Sequence, residues 1–91
     1  MLTEEQLEGI WIVDPIKGSR LASIEHHFRV HGMEVGANNL TQYLHKALAF
    51  KNTARNRNGR GREIRGLTPG VRRWEKQGKY IDLTSEGEIV S

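Results

Sequence analysis

Ninety-one residues, 36% of them hydrophobic and none of them cysteine, make one small domain with a modest core and exclude disulfide staples, Cys-based zinc sites and a thiol nucleophile. The net charge of +3 conceals a division: Lys51–Lys79 carries ten bases and two acids (+8), the rest of the chain four bases and nine acids (−5). The longest apolar run, Ile10–Val13, is far below the roughly 20 residues of a membrane span, and the acidic opening "MLTEEQLEG" is unlike a signal peptide. A soluble intracellular domain, cytoplasmic or nucleoid-associated and without a membrane partner, is therefore expected.

Thr3 followed by Glu4, Glu5 and Gln6 is a capping box and predicts a short helix stopped by Gly9. The β-branched and aromatic Ile10–Val13 predicts a short strand or buried connector, closed by Asp14, Pro15 and Gly18. Ser19 caps a helix reaching about Val30, with Gly32 as its C-cap and Leu21, Ile24 and Phe28 on its core stripe. Met33–Ala37 suits a bend or a two-residue bridge. Asn38 or Asn39 then caps a second helix running to about Phe50, with Leu40, Tyr43, Leu44, Ala47 and Leu48 facing inward. Projected at about 100° per residue, Asn38, Asn39, Gln42, His45, Lys46 and Ala49 point away from that stripe. This outer face carries no acid, and its Asn, Gln, His and Lys side chains can contact base edges and phosphates.

Beyond the second helix, Arg55, Arg57, Arg60, Arg62 and Arg65 alternate with Asn and Gly. The pattern predicts a mobile cationic finger over Asn52–Gly61 that follows a row of phosphates; the plain alternative is a solvated loop. Ile64 and Leu67 suit a strand within Glu63–Leu67. Thr68-Pro69 opens a short helix with Val71 and Trp74 on its apolar side and Gly78 at its end. Lys79–Leu83 alternates as a final strand, and the acidic tail, residues 84–91, is expected to fray from a domain spanning 1–83. The fold class read from this order is α+β: a small winged helix-turn-helix domain with a basic wing and an extra short C-terminal helix and strand.

The block from about Ile12 to Leu67, with "IEHHFRVHG", "NNLTQYLHKALAF", an Arg/Gly-rich wing and "REIRGL", resembles the C-terminal winged-helix module of phage- and plasmid-type primase-helicases. Linker-histone globular domains and helix-turn-helix regulators of phages and archaeal viruses are similar in layout. All three resemblances imply DNA binding. Residues 68–91 match none of them.

His26, His27 and His31 form the one cluster suggestive of metal, with His27 and His31 at a chelating i, i+4 spacing. No cysteine or second cluster completes a tetrahedron, so neither metal nor cofactor is expected. The carboxylates are scattered, and no phosphate-binding loop or nucleophile elbow occurs, which argues against an enzyme. Trp11 reads as core, whereas Trp74, among Arg72, Arg73 and Lys76, is open to a base or a partner. The function expected is duplex DNA binding, sequence-tolerant or regulatory, by a transcriptional regulator or the DNA-docking module of a replication protein. Asn38, Asn39, Gln42, His45 and Lys46 would contact DNA from the helix, and Arg55, Arg57, Arg60, Arg62 and Arg65 from the wing. Two alternatives stay open. One is a protein-interaction module using the acidic half (Glu4, Glu5, Glu8, Glu25, Glu34) or Trp74; the other is an RNA-binding winged helix.

Overall fold

The structure, a computed structural model, describes residues 2–58 (backbone only for 56–58), 61–64 and 69–90. It is a small α+β domain: helices α1 (Arg20–His31) and α2 (Leu40–Asn58), then strands β1 (Arg62–Glu63), β2 (Arg72–Lys76) and β3 (Lys79–Leu83). The strands form an antiparallel sheet in the order β1-β2-β3. One face of α2 packs on β2 and β3, and α1 packs on α2.

The capping box at the start is real. Thr3 N donates to Gln6 Oε1 at 2.9 Å, and Gln6 N donates back to Thr3 Oγ1 at 3.2 Å. It opens only a run of tight turns, however, not the expected helix. Glu4 serves a different helix. Its carboxylate accepts from Arg20 N at 2.6 Å and Leu21 N at 3.0 Å, while Ser19 Oγ accepts from Ala22 N at 3.0 Å. Three otherwise orphaned donors of the first turn of α1 are thus satisfied. The bonds from Leu21 and Arg20 hold the Glu4 carboxyl below its usual range.

Leu7, Trp11, Ile24, Tyr43, Leu44, Ala54, Trp74, Ile81, Leu83 and Ile89 belong to one buried cluster. Leu21 and Phe28 pack against it partly buried, as the α1 stripe requires. Trp11 is fully buried and satisfies its indole by donating from Nε1 to Ser23 Oγ at 3.0 Å.

Three further expectations are corrected. First, α2 does not stop at Phe50: it continues to Asn58, so residues 52–58 are helix and not a mobile finger. Ala54 is the reason. It lies seven residues after Ala47, hence on the same stripe, and is completely buried. The bases that follow suit the negative end of a helix dipole. Second, the segment read as a helix over Pro69–Gln77 contains strand β2, paired with β3 in the register Lys76↔Lys79, Trp74↔Ile81 and Arg72↔Leu83. Gln77 at φ 54° and Gly78 at φ 78° form a two-residue hairpin turn, so the glycine that resembled a helix stop closes a hairpin. Trp74 faces the core at 7% exposure and is not open to a partner. Third, residues 84–90 are not a frayed tail. Ile89 is fully buried and bridges Trp11 in parallel and Leu83 in antiparallel fashion. Ile12 N donates to Ile89 O at 3.0 Å, and Ile89 N to Ile10 O at 2.8 Å.

Candidate nucleic-acid interface

The N-terminus of α2 engages two of the side chains proposed to read bases, those of Asn39 and Gln42, together with the backbone of Asn38. Asn39 Oδ1 accepts from Gln42 N at 2.9 Å, and Gln42 Oε1 accepts from Asn38 N at 2.8 Å. Both side-chain carbonyls are thereby committed to capping, and what remains for a ligand is their NH2 groups. All three residues are exposed.

From Gln42 the solvent face of α2 continues through His45, Ala49 and Asn52, with Lys46 and Thr53 beside it; all are exposed. The 19-residue helix contains no acid and is about 28 Å long at 1.5 Å per residue. A cationic helix with a polar, acid-free outer stripe and a small residue at its middle can approach a phosphate-lined groove without charge repulsion.

The arginines expected in the wing are dispersed. Arg55 sits on α2, about 140° around the axis from Gln42 and some 20 Å along it. Its guanidinium carbon lies 5.8 Å from the Trp74 ring centroid, against the core side of the sheet. Arg62 aligns with Arg73 on the opposite face of the sheet and pairs with Glu75 at 2.9 Å. Arg60 and Arg65, with the side chain of Arg57, lie outside the described residues. Among the described residues, then, the structure assembles the helix half of the expected site and leaves Arg55 and Arg62 apart from it.

Other bases hold the fold together. Arg73 makes a bidentate pair with the buried carboxylate of Asp82 at 2.7 and 3.0 Å, and its guanidinium stacks 3.7 Å over Tyr80. The Asp82 bond raises the Arg73 pKa. Arg72 Nη2 donates to Gly61 O at 3.0 Å. Gly61, at φ 66°, lies against the indole of Trp74, where a Cβ would come within 2.6 Å of the ring. That glycine provides close approach, where the sequence suggested suppleness. Lys51 Nζ donates to Gly87 O at 2.6 Å, tying the C-terminal segment to α2; burial, then Arg55, lowers its pKa.

The histidine cluster is a stack. His27 and His31 lie nearly parallel with centroids 6.3 Å apart, His27 packs 6.0 Å from Trp11, and His31 Nδ1 is 3.3 Å from Glu34 Oε2. Burial, then His26 and His31, lowers the His27 pKa. Among the described residues no group of three or more His, Cys, Asp or Glu side chains could hold a metal ion.

One concave feature was not anticipated. A groove of about 430 Å³ opens between α2 and the tip of the β2–β3 hairpin, with Lys46, Lys76, Lys79, Phe50, Tyr43 and Tyr80 in its wall. Lys46 also borders the outer stripe of α2. The groove's far wall had only a weak signal in the sequence: Gly78 suits the second position of a two-residue hairpin turn, but Gln77 is not one of the residues that favour the first.

The chain matches no protein-family model, no curated protein and no solved structure. Among the described residues no helix is long and apolar enough to cross a membrane.

Proposed function

We propose that this domain binds duplex nucleic acid, DNA foremost, through the outer stripe of α2, as a winged helix-turn-helix module of an intracellular regulator or replication protein. The observation that carries the reading is the acid-free, exposed run Gln42–His45–Ala49–Asn52 with Lys46 beside it. The succession of two helices and an antiparallel hairpin supports the winged-helix layout. Capping commits the carbonyls of Asn39 and Gln42, so charge and shape dominate the binding and base readout falls to their NH2 groups, the Asn38 side chain and His45. Arg57, Arg60 and Arg65 add phosphate contacts in this reading.

The test adds a carboxylate to the stripe away from the groove. His45→Glu and Asn52→Glu should each weaken binding to a blunt duplex about tenfold, through repulsion of the phosphates. Ile16→Glu, on an exposed loop residue, serves as the control of equal charge. Duplex affinity no lower in the stripe variants than in Ile16→Glu would remove α2 from the interface.

A further inference from the structure

The groove beside α2 has two properties that belong together. Aromatic residues form its floor and wall: Trp11 and Tyr43 are buried beneath it, Phe50 is half-buried in its α2 wall, and Tyr80, whose ring stacks under Arg73, contributes at the hairpin. Three ammonium groups also line it, Lys46 from α2 and Lys76 and Lys79 from the hairpin, and none is in an ion pair among the described residues. Lys76 Nζ lies 5.9 Å from the centroid of Phe50, which keeps a cation beside a ring. Glu34 is the groove's one carboxylate among the described residues, and His31 stands 3.3 Å from it.

Aromatic walls with unneutralised ammonium groups are the chemistry of single-strand recognition, in which a base meets a ring and its phosphate meets a cation. The volume of about 430 Å³ is that of a small-molecule site and too small for a folded partner. An acidic peptide would satisfy the lysines but would leave the Phe50 ring, beside Lys76, without the flat partner that a base supplies.

We infer that the groove accepts an unpaired nucleotide of a strand leaving the duplex bound on α2, so that the preferred substrate is a junction between duplex and single strand. Lys46 makes the two surfaces continuous, since it borders the stripe and lines the groove. The inference rests on the duplex reading above for the path by which the strand arrives. Lys76 and Lys79 grip the phosphate, and the ring of Phe50, beside Lys76, meets the base.

Three probes measured by anisotropy in one buffer test it: a blunt duplex, the same duplex with a short overhang, and the overhang sequence alone. The overhang duplex should bind about tenfold more tightly than the blunt one, the scale of one stacked base. The double substitution K76Q/K79Q should abolish that preference while leaving blunt-duplex affinity within about twofold, since these lysines lie off the stripe and are screened at physiological salt. A 5-iodouracil at the first overhang position should crosslink to Phe50. Equal affinity for blunt and overhang duplexes overturns the inference while leaving duplex binding intact, as does a preference that survives K76Q/K79Q at an unchanged melting temperature. Binding of the overhang strand without the blunt duplex keeps the groove and removes the duplex reading. An acidic phenylalanine-containing peptide that binds through Lys76 and Lys79 where the overhang does not would make the groove a peptide site.

Discussion

Ile89→Ala tests whether the C-terminal segment is part of the fold that supports the interface. The side chain is fully buried, between Trp11 and Leu83, and it also lines the groove. The substitution removes three carbons, each worth about 0.8 kcal/mol of burial, and the residual cavity adds to that, for a total of about 3–4 kcal/mol. The backbone bonds of residues 89 and 90 to Ile10, Ile12 and Asp82 remain possible, so the loss belongs to the side chain. Against the roughly 5–15 kcal/mol that holds a small domain together, this is a large share. At about 4 °C or more per kcal/mol for a domain of this size, the melting temperature should fall by about 12 °C or more. Urea unfolding followed by circular dichroism gives the free energy, and tryptophan emission follows the same transition beside Trp11. Ile16→Ala is the control: at 77% exposure it should stay within about 0.5 kcal/mol of the parent. An Ile89→Ala cost indistinguishable from that control would show that residues 84–90 are a loose tail and would refute the packing of Ile89 between Trp11 and Leu83.

His27 should make stability depend on pH. Burial and the flanking His26 and His31 lower its folded-state pKa from 6.5, outweighing the opposing pull of Asp14 and Asp82. The unfolded chain then binds the proton more readily, so stability is fully present above pH 6.5 and declines as pH falls through the unfolded value towards the folded one. Thermal melts at stepwise lower pH should show this decline, and His27→Gln should reduce it; an identical decline in that variant would assign the effect elsewhere. Arg73→Met should cost about 3 kcal/mol by removing the guanidinium from the buried Asp82 carboxylate, whereas Arg73→Met/Asp82→Leu together should cost much less. A double variant as unstable as the sum of its parts, measured by urea unfolding, would refute coupling. Asn39→Ala should lose about 1 kcal/mol of stability through the lost cap of α2, with a smaller effect on duplex affinity; the reverse order, by melts and anisotropy, would return Asn39 to base reading.

The helix pair was legible because its signals are local and repeated. Ser19, Gly32 and Asn39 punctuate the chain with side chains or backbone that act within one turn, and Ile24, Tyr43 and Leu44 fall on a stripe that only burial explains. The outward direction of Gln42, His45, Lys46 and Ala49 followed from the same period. Sequence likewise determined the partition of charge, with ten of fourteen bases in one third of the chain.

Tertiary structure decided the rest, wherever one residue carried two readings. Gly78 ends a helix or closes a hairpin equally well, and pairing of Trp74 with Ile81 across β2 and β3 selected the hairpin. Ala54 amid Asn and Arg is a weak signal until the sheet supplies a surface that buries it completely. "TSEGEIVS" looks frayed because Ile89 gains nothing locally; its contacts are with Trp11, some eighty residues earlier, and Leu83. The groove is of the same kind. Lys46 and Lys79 are distant in sequence, and no local pattern relates them; packing of α2 on the hairpin brings both to one concavity. Short-range hydrogen bonding and periodicity therefore determined where the helices lie and which way they face, whereas long-range burial of a few apolar side chains determined where the chain ends and what its basic residues surround.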